Sequence, residues 1–152
     1  MKKFNIIMIL LDGLRPDRIH LCQNLSNILK KSYFFSSMIT ASPYTLASLH
    51  SIFSGLYPIK NGVNSYFNMF KFKKDICKTM TQYLHDDGYY TTANLIDREF
   101  MPRQGFEAIS LHDENKDDLI KLHKNIISDT AKKEKFFLFL HYTNIHTENI
   151  KD

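Results

Sequence analysis

Few residues in this chain are of a type and spacing that could do chemistry, and the most suggestive lie in residues 42–63, SPYTLASLHSIFSGLYPIKNGV. Leu46, Leu49, Ile52 and Phe53 recur at helical spacing, and Gly55 follows as a residue able to end a helix in the left-handed conformation. Thr45 therefore falls at or near the N-cap, its hydroxyl among backbone N–H groups that lack intrahelical acceptors, at the positive end of the helix dipole. An anion binds well in such a turn. A threonine there either caps the helix, which is the commoner use, or attacks a bound anionic ester. Asp12 is the second candidate. It ends an apolar run, precedes the turn-forming Gly13, and offers hard oxygens to a divalent metal ion. Capping the next turn is its plain alternative. His141 and His146 follow the last apolar run, in HYTNIH.

These residues need elements to position them. Residues 4–11, FNIIMILL, read as a strand buried on both faces of a parallel sheet. A helix is expected over residues 21–30 and a second strand over 33–40. The Thr45 helix comes next, then an Asn61-Gly62 turn. Residues 75–87 read as an amphipathic helix through Ile76, Met80, Tyr83 and Leu84, capped by Asp75 and stopped by Gly88. Residues 89–96 are β-prone, 108–111 make a short strand, and 116–132 carry a helical stripe in which His123 is a core or boundary residue. Residues 136–140, FFLFL, form the last buried strand. This alternation predicts an α/β three-layer sandwich with a largely parallel sheet, in one domain over residues 1–152. In that topology Asp12, Thr45, His141 and His146 share the carboxyl edge of the sheet, where open α/β sheets bind ligands. Their convergence favours Thr45 as a reactive group over a cap, because a carboxylate-held cation stabilises an alkoxide.

Composition narrows the alternatives. With 43% hydrophobic and 13% aromatic residues among 152, the chain can build a core and is not disordered. A net charge of +4 spread over dispersed basic residues argues against a nucleic-acid partner. Residues 66–74, YFNMFKFKK, are the exception: aromatics interleaved with lysines could stack bases or touch an anionic surface. We read the stretch as a connecting loop whose lysine stems cover core aromatics. Cys22 and Cys77 have no metal-binding spacing and sit at apolar positions of expected helices, as buried free thiols in a reducing compartment. The apolar run after Lys2-Lys3 imitates a signal peptide but is short, contains Asn5 and ends at Asp12-Gly13 without a cleavage site. No segment reaches the roughly 20 apolar residues of a membrane span, so a soluble, cytoplasmic chain is expected.

Four runs now take on a joint meaning: NIIMILLDGLRPDRI, SPYTLASLHSIFSGLYPIKNGV, GYYTTANLIDREFMPRQGFE and FFLFLHYTNIHT. In this order they resemble the N-terminal half of the sulfatase and alkaline phosphatase superfamily, most specifically where TLASLHSIFSGLYP is similar to its nucleophile helix and G-x-Y-P turn. The resemblance implies an alkaline phosphatase-like fold and metal-dependent hydrolysis or transfer of sulfate or phosphate esters. It implies Asp12 and Thr45 as metal ligands, Thr45 as nucleophile, and His146, Ser48 and His141 as contacts to a small anionic ester. The cofactor would be a divalent ion such as zinc, calcium, magnesium or manganese.

The departures point within the superfamily. Sulfatases carry paired aspartates after the first strand and a cysteine or serine in C-x-P-x-R that becomes formylglycine; here Gly13 follows Asp12, and the stretch reads Thr45-Leu46-Ala47-Ser48-Leu49. Threonine cannot give formylglycine. The lysine after the G-Y-x-T-A strand is missing from Leu95-Ile96-Asp97-Arg98, and Asn144 stands where an aspartate precedes the last histidine. A threonine nucleophile with one early aspartate is similar to the phosphodiesterase and phosphoethanolamine-transferase branches. The remaining metal ligands of the family come from a C-terminal half, so the chain reads as an incomplete member whose activity needs that half. The competing readings are a sulfuric ester hydrolase and a non-catalytic α/β domain that binds an anion or a partner. Incompleteness carries its own expectation: an uncovered sheet edge or face, with Phe136, Phe137 or Phe139 exposed.

Overall fold

The computed structural model describes residues 4–66 and 71–146. Four strands, β1 (Ile6–Leu11), β2 (Tyr90–Leu95), β3 (Ala108–Leu111) and β4 (Phe136–Tyr142), form one sheet in the order β1-β4-β2-β3. Every pairing is parallel, with Ile9 opposite Leu140, Ala93 opposite Phe139 and Ile109 opposite Ala93. Five α-helices connect them: α1 (Gln23–Leu29), α2 (Thr45–Ser54), α3 (Pro58–Asn61), α4 (Met80–Asp86) and α5 (Leu119–Thr130).

FFLFL is buried as its unbroken apolar run predicts. Phe136, Phe137 and Phe139 are 4%, 1% and 0% exposed, so the expectation that incompleteness would uncover them fails. Parallel pairing sends alternate side chains to opposite faces. On one face Phe137, Phe139, Ala93 and Leu95 meet Leu49 and Phe53 of α2. The ring of Phe53 stands edge-on to Phe139 at 5.3 Å and to Phe137 at 6.4 Å. On the other face Phe136, Leu138 and Leu140 pack with Tyr90, Ile126 of α5 and Tyr142. A helix layer thus lies on each side of β4 and β2.

Among the described residues the sheet has two edge strands, β3 and, opposite it, β1. Strand β1 pairs with β4 along one edge only, and Ile6, Ile7 and Ile9 are 37%, 45% and 56% exposed. The expectation of burial on both faces is corrected here: an apolar run fixes extended character, while burial needs neighbours, and this strand has a neighbour on one side. The stretch 33–40 contains no strand, and its Tyr33 and Ile39 are exposed. The expected helix at 21–30 splits into a 3-10 turn, Pro16–Leu21, and α1, neither with a buried residue.

Helix α4 begins later than its apolar pattern suggests. Thr79 caps it, accepting from the Gln82 backbone N–H while the Gln82 side chain accepts from the Thr79 N–H, a reciprocal capping box. Asp75 and Ile76 lie outside it, both exposed. Both cysteines are free, but only Cys77 is buried; Cys22 is exposed where α1 begins. Helix α5, β2 and β3 fall within their expected segments, β4 starts where expected and runs on past residue 140 to Tyr142, and His123 is buried as expected. No helix among the described residues is long and apolar enough to cross a membrane.

Candidate active site

Helix α2 starts at the carboxyl end of the sheet with an uncapped first turn. Tyr44, extended at φ −137° and ψ 149°, is its N-cap and offers no side-chain hydrogen bond, and Thr45 is the first helical residue. The Thr45 hydroxyl is therefore not the cap that its position suggested. It donates to Asp12 Oδ2 at 2.7 Å, across 33 residues of sequence. Asp12 is placed by the sheet: its N–H donates to the Tyr142 carbonyl at 2.8 Å and extends the β1/β4 ladder by one step. Gly13 then turns at φ +81° against the last described loop. A Cβ there would stand 3.1 Å from His146 Cα, so the missing side chain lets the Asp12 turn and the His146 loop approach.

Asp12, Thr45, Ser48 and His146 all line one cavity of about 800 Å³. The expected convergence of Asp12, Thr45 and His146 at the carboxyl edge is observed. Tyr44, Ile52, Tyr66 and Phe100 add apolar wall, and among the described residues Asp12 is its one carboxylate and no lysine or arginine lines it. Negative charge in a bound ester would meet the helix dipole and the first-turn N–H groups of α2. The Ser48 and Thr40 hydroxyls lie 2.7 Å apart, and each reaches the Ser42 carbonyl at 2.8 Å, so Ser48 already has partners.

His141 lies elsewhere than the other candidates. It is fully buried behind Asp12, stacked on Phe139 and edge-on to Phe100, and it does not line the cavity. Its Nε2 is 3.5 Å from Asp12 Oδ2, and neither ring nitrogen has a hydrogen-bond partner among the described residues. Burial lowers its affinity for a proton, and the Asp12 carboxylate offsets only part of that.

The donor chemistry fits part of a divalent-cation shell. Asp12 supplies a carboxylate, Thr45 a hydroxyl, and His141 an unpartnered imidazole nitrogen beside them. No group of three or more His, Cys, Asp or Glu among the described residues is arranged to hold a metal ion, so this shell is open.

A second polar cluster lies on the α5 side of the sheet, and sequence reasoning missed it. Asn94, fully buried in β2, accepts from His112 Nδ1 at 2.6 Å and His123 Nε2 at 2.8 Å, and its amide donates to Ser110 Oγ at 2.8 Å. His123 Nδ1 then accepts from the Tyr142 hydroxyl at 2.8 Å, which fixes its neutral tautomer. Glu114, beside His112, clamps Thr143 by accepting from its N–H and its hydroxyl, both at 2.7 Å. Thr143 lines the cavity, and its carbonyl accepts from the His146 N–H at 2.8 Å, so this cluster holds the loop that presents His146. The available signal was Asn94 itself, an amide in a strand of buried residues, which must find partners.

Comparison with known proteins places the family and the fold. The family model for Sulfatase matches residues 5–151. A crystal structure of a protein in the alkaline phosphatase superfamily from Vibrio parahaemolyticus superposes with a TM-score of 0.75 at 16% identity, covering 100% of this chain and 43% of that one. The chain thus spans less than half the length of this neighbour, and the likeness concerns the fold. No curated protein matches the chain. A parallel α/β sheet, a threonine bound to an aspartate at its carboxyl edge, and a family match over nearly every residue lead to one conclusion: the chain belongs to the sulfatase family, within the alkaline phosphatase fold.

Proposed function

We propose that this chain carries the nucleophile side of a metal-dependent phosphoester hydrolase or transferase, with Thr45 attacking phosphorus. The observation that carries the reading is the 2.7 Å hydrogen bond from Thr45 Oγ1 to Asp12 Oδ2 at the wall of the cavity. A hydroxyl held by a carboxylate at a helix N-terminus is oriented for attack and stripped of competing partners. Asp12 and Thr45, with His141 behind them, would hold a divalent cation, which supplies Lewis acidity and favours the alkoxide. Within the family, threonine at this position argues for phosphate over sulfate esters, since threonine has no route to formylglycine. Oxygens of the bound ester would take the free N–H groups of the first turn of α2, with His146 on the facing loop. Residues beyond these would close the metal shell. A second reading, anion binding without turnover, is favoured by the open donor set.

The test has a binding arm and a turnover arm. Inorganic phosphate, titrated into the labelled chain with and without zinc or manganese, should shift the amide resonances of Thr45, Leu46 and Ala47 and the ring of His146. Unmoved first-turn amides at saturating phosphate would remove the anion site. An aryl phosphodiester should turn over faster than the corresponding aryl sulfate, with mass spectrometry locating phosphate on Thr45. Thr45→Ala should abolish both label and turnover, and Thr45→Ser should retain part. Parental turnover in Thr45→Ala would end the nucleophile assignment.

A further inference from the structure

Residues 66–74 stood out in the sequence for their alternation of aromatics and lysines, and the proposed reaction makes no use of the lysines. Phe67, Asn68, Met69 and Phe70 lie outside the described residues. Phe72 points inward, packing on Leu46, Ala47 and Val63 and standing edge-on to His50 at 5.1 Å. Lys71 and Lys73, on either side of it, are exposed. This segment lies directly against α3. The Lys73 N–H donates to the Asn61 carbonyl at 2.9 Å, and a Cβ on Gly62, at φ +96°, would come within 2.3 Å of the Lys71 carbonyl oxygen. Glycine is required for that approach.

The outcome is one surface assembled from two segments. Lys60, Lys71, Lys73 and Lys74 are exposed and form no ion pair among the described residues, while Lys78 is paired with Asp86 and is not counted with them. Asp75 is the single acidic residue between positions 56 and 78. Among these lysines stand Tyr57, Ile59 and Ile76, exposed by 72%, 74% and 76%. Among the described residues nothing covers these aliphatic side chains. Charge complementarity calls for an anionic surface, and the isoleucines choose between two such surfaces. Isoleucine has no π-face on which a base could stack, whereas it buries well among acyl chains below a layer of headgroups. Tyrosine suits the boundary between the two.

We propose that this face, Lys60, Lys71, Lys73 and Lys74 around Ile59 and Ile76, docks the protein on the surface of an anionic phospholipid bilayer. The lysines meet the headgroup phosphates and carboxylates, and the isoleucines enter the acyl boundary. The proposal stands apart from the reaction assigned to Thr45, since it needs neither metal nor nucleophile. It has a spatial consequence for that site: Phe72 packs on the two residues that follow Thr45, so a docked chain holds the cavity beside the headgroups.

The experiment is flotation of the chain with extruded vesicles of phosphatidylcholine alone or with about a third phosphatidylserine. The expected result is partitioning onto the serine-containing vesicles only, weakening as salt rises. Lys60→Gln/Lys73→Gln/Lys74→Gln should lower the partition coefficient about 100-fold, at about fivefold per lysine. Ile59→Ser/Ile76→Ser should lower it about tenfold or more while retaining the salt dependence. The control Lys30→Gln/Lys31→Gln/Lys124→Gln removes the same charge from exposed positions elsewhere and should stay within about threefold of the parent. All the substituted positions are exposed, and circular dichroism checks that each variant is folded. Three results would overturn the proposal: no preference for anionic vesicles, an equal loss in the control variant, or tighter binding to a single-stranded oligonucleotide that the lysine variant abolishes.

Discussion

Acid should destabilise this protein through histidines that it buries in the neutral form. His50, 3% exposed within α2, engages the Leu46 carbonyl through Nδ1 at 2.8 Å, and burial pushes its pKa below the ordinary histidine value. His123, 6% exposed, is lowered by burial and then by neighbouring His112. A second proton on His123 would also displace the Tyr142 hydroxyl that donates to Nδ1. In the unfolded chain both rings take up a proton near pH ~6.5. The folded pKa values are depressed, so the stabilisation is complete above the unfolded pKa and is lost as pH falls from there toward the folded values. Each group costs a little over ~1 kcal/mol per pH unit within that window. From about pH 7.5 to about pH 5.5 the two together should remove up to about 3 kcal/mol, and His141, lowered by burial, acts in the same direction. Against a total of about 5–15 kcal/mol this is a large fraction. Urea unfolding followed by circular dichroism at the two pH values measures it. His50→Gln/His123→Gln replaces both rings with amides that do not titrate, and it should flatten most of the slope. Stability independent of pH in the parent, or an unchanged slope in the double variant, would refute the reasoning.

Three further outcomes follow from the packing. Asn94→Ala should destabilise the fold by about 2–5 kcal/mol, because the His112 and His123 N–H groups would be buried without an acceptor; a loss under about 1 kcal/mol in denaturant unfolding would mean that water replaces the amide. Phe53→Ala should cost about 3–5 kcal/mol, since this fully buried ring touches both Phe137 and Phe139. Ile9→Lys, at a residue 56% exposed on the free edge strand, should leave the unfolding midpoint within about 0.5 kcal/mol while slowing aggregation in light scattering, as charged edges do.

The parts of the fold legible in the sequence were those decided by near neighbours. The run FFLFL, the β-branched and aromatic run of β2, the stripe of α5 and the Leu46-Leu49-Phe53 face of α2 each state their element type within about ten residues, because composition and periodicity are local properties. The ordering of strands and helices then implied a parallel sheet, and with it a rim on which Asp12, Thr45 and His146 meet. Tertiary structure decided the rest. Residues 33–40 have β-prone composition but no strand to pair with, and β1 has an apolar sequence but a partner on one side only. Thr45 has the local signature of a cap, yet its hydroxyl goes to a carboxylate 33 residues away, because sheet pairing brings Asp12 within 2.7 Å. His141 and His146 are five residues apart in one motif, yet His141 is inside β4 and buried behind Asp12, while His146 lies in the turn beyond the strand and reaches the cavity wall. Glu114 lies in none of the runs that carried the resemblance, and Asn94 lies in one without being singled out. Their roles arise from hydrogen bonds to groups 18 to 29 residues away, and register and packing, which no local pattern encodes, determine which of those groups come within reach.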